Sequence, residues 1–399
     1  MKLNYSIVLF SILLTFSLVV PEFIGFSTRY LVIFYFIIYC LIKLPYGRVY
    51  IYKDNLYILY YLLLMIVISL LTLMYAVDFH GVLAFINTHI YSIILLILIV
   101  NIFKYGEGLY FFQKVYIISV TVVSCLSLIS YLRHFYTGYD SGMLFIINSW
   151  DLARTSGFIG NPNYYAVTLL VCIGFILSLF YTSQVKSKFY YLANTLVIID
   201  LMLTFSRGAI LALFIMVVVY FLIYLRPRIK KGWIIKSLLI MPFIIYVLLK
   251  VMKTNLFERI YNNFAFRVED ALEGSGASRY IIWEDALNLF YSSNSYILFG
   301  VGGNNFIAMH EHNLHNNYLK ALIESGMIGF MFLIIFLVVL ILKTINVKNL
   351  KVNSPFFFIL IGFLVFSLSN DMFIVHEFWV IVALISTWKI KCDLKDKLN

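Results

Sequence analysis

The stretch GMIGFMFLIIFLVVLILKTI, residues 326–345, decides what kind of molecule this is. Its single charge is Lys343, near the end. About 20 consecutive apolar residues match the hydrocarbon thickness of a bilayer at 1.5 Å of helix rise per residue. Working outward, eleven comparable runs predict further spans at residues 5–21, 30–44, 56–76, 82–103, 108–132, 164–182, 189–206, 208–225, 233–251, 355–373 and 377–390. The whole chain agrees: 63% of its 399 residues are hydrophobic, only 12% are charged and the mean hydropathy is +0.94, whereas a soluble chain carries about 25% charged residues. The expected fold is an all-α, polytopic integral membrane protein of about twelve transmembrane helices, residues 1–399 forming one transmembrane domain. Cys40, Cys125 and Cys172 lie in apolar runs and Cys392 in the tail, so no disulfide framework is implied. Lys2 and the run that follows outline a signal peptide, but Pro21-Glu22-Phe23 offers no small-residue cleavage site, and we read a retained first span.

Orientation comes from the basic residues. A net charge of +11 points to nucleic acid in a soluble protein; here what matters is which loops hold the lysines and arginines. Alternate loops are basic, at Lys43, Arg48 and Lys53, at Lys104, at Lys186 and Lys188, at Arg226 to Lys231, at Lys343 to Lys351 and in the tail. The positive-inside rule puts them in the cytoplasm with both termini. The opposite face holds seven of the ten arginines: Arg29, Arg133, Arg154, Arg207, Arg259, Arg267 and Arg279. Arginine's planar fork grips phosphate or carboxylate through paired hydrogen bonds, so an arginine-biased outer face suggests an anionic ligand. Two outer segments, residues 133–163 and 252–314, are rich in Gly, Asn, Ser and charge, and long external connections are usually functional.

Three groups of residues there carry possible chemistry. Ser206-Arg207-Gly208 joins two runs, with Ser206 placed to cap the next helix, so unpaired N–H groups and a guanidinium converge as in a phosphate site; an arginine snorkelling to headgroups has the same sequence. Gly276-Ala277-Ser278-Arg279 repeats the pattern before an amphipathic helix at 280–287, with Ser278 again a cap and Trp283 read as an interfacial anchor ahead of a sugar platform. In His310-Glu311-His312-Asn313-Leu314-His315-Asn316-Asn317-Tyr318-Leu319-Lys320, helical spacing puts His315, Leu319, Leu322 and Gly326 on one inward face. A partly desolvated imidazole near a helix N-terminus stays neutral, as a general base requires; a satisfied buried histidine looks identical. The spacing of His310, His312 and His315 is not that of a helical zinc pair, and acidic pairs are sparse, which favours a metal-free site without cofactor. Asp200 lies inside a span, seven residues before Arg207; a functional role and a structural bond to a buried Tyr or Asn weigh evenly. Asp371 and Glu377 bracket the last external turn, within reach of the same cavity.

Taken in order, Thr204 to Ala209, Gly276 to Trp283, Phe299-Gly300-Val301-Gly302-Gly303-Asn304-Asn305-Phe306, and His315-Asn316 with nine residues before Gly326-Met327-Ile328-Gly329 resemble the O-antigen ligase and O-antigen polymerase superfamily. Gly157 to Tyr164 is similar to the stretch these proteins carry ahead of the middle spans. The resemblance implies a GT-C-like glycosyltransferase with a large external loop, residues 252–325, between spans nine and ten. It also implies a bacterial cytoplasmic (inner) membrane, no metal or nucleotide, and glycan taken at the outer leaflet from an undecaprenyl diphosphate carrier. By position, Arg207 and Arg279 would hold the diphosphate and His315 would activate the acceptor hydroxyl. Substrate contacts would fall to Arg154, Asn161, Asn163, Asp200, Trp283, Asn305, His312, Asn316 and Tyr318. Implied partners are the carrier-linked glycan, an acceptor glycan or glycolipid, membrane lipid, a flippase and a chain-length regulator, with no nucleic acid. A ligase passes glycan to lipid A core and a polymerase to another repeat unit. The Ile, Tyr, Phe, Lys and Asn bias hints at an AT-rich genome, as in many Gram-positive bacteria, and tips the reading to a capsule, teichuronic-acid or O-antigen polymerase. A transporter of lipid-linked glycan is the rival of another class, but it needs charge through several midplanes and Asp200 is nearly alone.

Overall fold

The computed structural model describes residues 4–23, 26–46, 48–103, 107–137, 145–149, 152–182, 187–225, 258, 261–262, 265, 275–346, 351–352, 354–373 and 375–398. The expected ninth span at 233–251, Arg259, Arg267 and the acidic pair Glu269-Asp270 lie outside the described residues.

The chain is a mostly helical, multi-pass membrane protein. Its first eight helices are α1 (Tyr5–Val19), α2 (Arg29–Lys43), α3 (Leu56–Thr72), α4 (Phe79–Phe103), α5 (Glu107–Thr137), α6 (Pro162–Tyr181), α7 (Phe189–Leu203) and α8 (Arg207–Tyr220). After these come α9 (Ser275–Tyr291), the short α10 (Asn294–Phe299) and α11 (Asn305–His310), then α12 (Asn317–Thr344), α13 (Phe357–Phe366) and α14 (His376–Leu398). Among the described residues seven helices, α2 to α6, α8 and α12, are long and apolar enough to cross a membrane, and α1, α7, α13 and the first part of α14 are shorter apolar helices. A helix satisfies its backbone groups within its own segment, as lipid requires, which is why the described long runs adopt this form. Short antiparallel hairpins qualify the all-α expectation: β1 (Glu22–Phe23) with β2 (Phe26–Ser27), β3 (Ile146–Ser149) with β4 (Leu152–Thr155), and β5 (Ile345–Asn346) with β6 (Lys351–Val352). The second pairs Ile147 with Arg154 and fixes that arginine's place above α6.

Burial separates hub from rim. In its most apolar window α6 is 83% buried and α2 only 6%, so α6 is central and α2 faces lipid. Around α6 pack α5, α7, α8 and α13, with α13 also laid against α8, α14 against α4, and α12 against α3. The described part of residues 252–325 has its own small core: Ala286 and Phe290 of α9, Val301, Phe306 of α11, Leu314 and Ile323 of α12.

One break in the helix ladder positions everything above it. Gly326, with φ +67° and ψ −175°, interrupts α12. The freed carbonyls of Ile323 and Glu324 accept from the N–H groups of Val301 (2.9 Å) and Gly302 (3.0 Å). A Cβ at Gly326 would overlap the Leu298 backbone, and one at Gly300, φ +80°, the Glu324 backbone, so glycine is required on both sides of this close approach. The expected span boundary at residue 326 is this kink, and residues 317–325 form a separate helical segment leading to it.

Candidate functional site

His315 sits just before that segment. Helix α12 begins at Asn317, with Asn316 as its cap: Asn316 Oδ1 accepts from the N–H groups of Tyr318 and Leu319, both at 3.1 Å. His315 is therefore outside the helix, in a left-handed turn with φ +49°, and the helical face expected to group it with Leu319, Leu322 and Gly326 does not exist. A non-glycine residue held at positive φ costs on the order of 1–3 kcal/mol and recurs where function imposes a geometry. The turn is fixed from outside: Trp283 Nε1–H donates to the Leu314 carbonyl at 2.9 Å. Trp283 thus braces the residue before His315.

The His315 ring is half-buried, and its pKa is lowered, first by that burial and then by the positive charge of Arg279. Asp371 acts in the opposite sense and Lys320 in the same one, so these four groups share one electrostatic neighbourhood. The neutral imidazole expected from the sequence is favoured by the burial that reading named, and the positive charge of Arg279 adds to it. Arg279 itself lies inside the first turns of α9, which starts at Ser275, so Ser278 is a helix residue and not the expected cap; Gly276 and Ala277 simply continue the helix.

Beneath His315 is an ion cluster that sequence reasoning had not assembled. Lys320 Nζ lies 3.2 Å from Asp371 Oδ2 and 4.0 Å from Glu324 Oε1, and all three side chains are almost entirely buried. Its signals were a lone lysine opposite a carboxylate at i, i+4, and Asp371 in the last external turn. The turn holding Asp371, residues 367–373, ties two parts of the site together. Asn317 N–H donates to the Ser367 carbonyl at 2.9 Å and Phe373 N–H to Asn317 Oδ1 at 3.4 Å, which fastens the turn to the start of α12. At its other side Ser369 abuts Gly208, where any Cβ would overlap its hydroxyl. Arg207 is the first residue of α8, so one short turn joins the start of α8 to the Lys320–Asp371 pair.

That helix start has no side-chain cap. Ser206 holds the cap position, but its hydroxyl makes no capping bond and is buried without a hydrogen-bond partner among the described residues, as are Asp371 Oδ1 and Glu324 Oε1. Buried polar atoms are nearly always satisfied, so orphaned ones around one site mark a place for a ligand or water. Helix N–H groups, Ser206 and the Arg207 guanidinium are the elements of an anion cradle.

The remaining expected contacts divide. Arg154 is buried on β4; its Nε donates to the Thr204 carbonyl at 2.7 Å and its NH2 group to Asn163 Oδ1 at 3.2 Å, joining the α7–α8 turn to the start of α6. Asn161 caps α6 through the N–H groups of Asn163 (2.9 Å) and Tyr164 (3.3 Å). Asp200 is completely buried and accepts the Tyr165 hydroxyl at 2.6 Å, so of its two readings the bond to a buried tyrosine is the one seen. Asn305, fully buried, accepts from Asp78 N–H at 2.7 Å and holds the loop before α4; Tyr318 donates to the Leu364 carbonyl at 3.0 Å. Both were expected at substrate, and both have their polar groups committed to backbone. His312 is exposed.

Residues 192–334, the stretch that contains Arg207, Arg279 and His315, match the family model described as O-antigen ligase. No curated protein matches the chain.

Proposed function

We propose that this chain, a member of the O-antigen ligase and polymerase superfamily by its residues 192–334, polymerises undecaprenyl-diphosphate-linked oligosaccharide repeat units into a surface polysaccharide of capsule, teichuronic-acid or O-antigen type. The setting is a twelve-span, GT-C-like arrangement in the bacterial inner membrane, with the site on the outer face and both termini in the cytoplasm. A flippase supplies the repeat units, and a chain-length regulator is a natural partner. The observation that carries the reading is the half-buried, neutral-favouring His315 in a left-handed turn, under the field of Arg279 and above the buried Lys320–Asp371 pair.

A sugar diphosphate is already activated, so catalysis reduces to two tasks: stabilising charge on the departing diphosphate and removing one proton. The acceptor hydroxyl oxygen bonds to the anomeric carbon, and the bond from that carbon to the diphosphate oxygen breaks, its electron pair leaving as undecaprenyl diphosphate. The hydroxyl proton passes to the free ring nitrogen of His315. Arg207 and Arg279 neutralise the leaving group, with Arg154 and Asn163 supporting the turn that presents Arg207. Attack opposite the leaving group inverts the anomeric carbon. No step requires a metal. In cells, His315→Ala is expected to abolish polymer while single lipid-linked repeats accumulate and protein level holds; wild-type polymer from that variant refutes the catalytic role. Transfer of the glycan to lipid A core, in place of a second repeat unit, would reassign the protein as a ligase with the same donor chemistry.

A further inference from the structure

A cavity of about 400 Å³ opens beside the site, between the outer ends of α1 and α6 and the start of α14. Arg29 and Glu377 stood out in the sequence, but no residue placed in the proposed reaction lines it. Its volume is that of a small-ligand pocket, and its lining is unusual for an apolar bundle: Glu22 of β1, Arg29 of α2, Phe158 and Tyr164 around the start of α6, and His376 and Glu377 of α14. Four such side chains, Glu22, Arg29, His376 and Glu377, converge from three elements, β1, α2 and α14, and convergent polar groups in a pocket point to a ligand. His376 Nδ1 is buried and has no hydrogen-bond partner among the described residues, while its ring is held edge-on by Tyr91 at 4.7 Å. Glu377 Oε1 accepts from the Thr168 hydroxyl at 3.1 Å.

Carboxyl oxygens and an imidazole nitrogen are partners for hydroxyl groups, and the Phe158 and Tyr164 rings offer flat apolar faces to the C–H surface of a pyranose. Two carboxyl groups facing one guanidinium give no net positive charge, so the cavity is unsuited to a second diphosphate. Tyr164 connects it to the reaction centre: it lies within electrostatic range of Asp371 and Lys320, the same two charges that act on His315.

We propose that this cavity is the acceptor subsite, holding a neutral, hydroxyl-rich saccharide whose nucleophilic hydroxyl reaches past Tyr164 toward His315. The assignment rests on the transferase reading above. The test uses full-length protein in lipid nanodiscs and, as probe, the repeat-unit oligosaccharide released from its carrier by mild acid. In a His315→Ala background, which prevents turnover, the probe binds as to wild type. Adding Glu22→Gln or His376→Gln raises its Kd at least tenfold, whereas binding of undecaprenyl diphosphate does not change. Glu22 is exposed on the hairpin, so its substitution reads out binding even if His376→Gln disturbs folding. Probe binding unaltered by both substitutions, or no probe binding to the parent, overturns the subsite. Polymer synthesis surviving His315→Ala instead overturns the transferase reading and leaves the binding result to be judged separately.

Discussion

Replacing Lys320 by methionine removes a buried cation and strips two buried carboxyl groups of the charge they pair with. The Nζ lies 3.2 Å from Asp371 Oδ2 and 4.0 Å from Glu324 Oε1, with side-chain exposures of 6%, 1% and 2% in the order Lys320, Asp371, Glu324. Removing one partner of an exposed pair costs at most about 1 kcal/mol, but doing so in a buried pair costs about 3–5 kcal/mol, mostly because the survivor is stranded. The second regime applies at these exposures. Lys320→Met is therefore expected to lose about 3–5 kcal/mol, and the triple variant Lys320→Met/Glu324→Gln/Asp371→Asn, which strands no charge, to recover most of it. Reversible unfolding in mixed micelles, followed by tryptophan fluorescence, measures both. A single variant costing under about 1 kcal/mol, the value for an exposed pair, refutes the argument. So does a triple variant as unstable as the single one, because the loss would then be one of packing.

Further outcomes follow from the same geometry. Folding lowers the His315 pKa, and the base must be unprotonated, so kcat/KM should stay on its plateau as pH falls through the ordinary histidine value near 6.5 and decline only below it; a decline centred above 6.5 in the pH–rate profile contradicts the site's electrostatics. Gly326→Ala, which needs φ +67° and overlaps the Leu298 backbone, should abolish accumulation of folded protein, measured by monodisperse elution in detergent. Asn305→Ala should cost about 1–3 kcal/mol through its lost bond to Asp78 while leaving the acceptor KM of the surviving folded enzyme unchanged, because the side chain serves backbone and not sugar. Polymer formation by purified enzyme should continue undiminished after exhaustive treatment with a chelator.

The legible part of this molecule was what a bilayer dictates. Runs such as 326–345 form helices because lipid offers no other backbone partner. Local signals were less dependable. Ser206 and Ser278 both have cap chemistry, yet Ser206 makes no capping bond and α9 starts three residues before Ser278, since a cap depends on backbone angles that neighbouring turns impose. The glycines at 300 and 326 were visible, but their shared purpose was not: it lies in the pairing of Val301 and Gly302 with the broken turn of α12. Polar residues were the hardest. Asn305 finds its partner 227 positions away and Lys320 its carboxylate 51 positions away, so composition marks such side chains as important without saying whether they serve substrate or backbone.

The central claim is that Arg207 and Arg279 hold a diphosphate against a neutral His315. Purified protein in nanodiscs, given a carrier-linked oligosaccharide, tests it by measuring donor affinity and release of undecaprenyl diphosphate together. The account predicts at least tenfold weaker donor binding for Arg207→Met and for Arg279→Met, and for His315→Ala wild-type binding with no release. Donor affinity unaltered by both arginine substitutions, or continued release by His315→Ala, would contradict it.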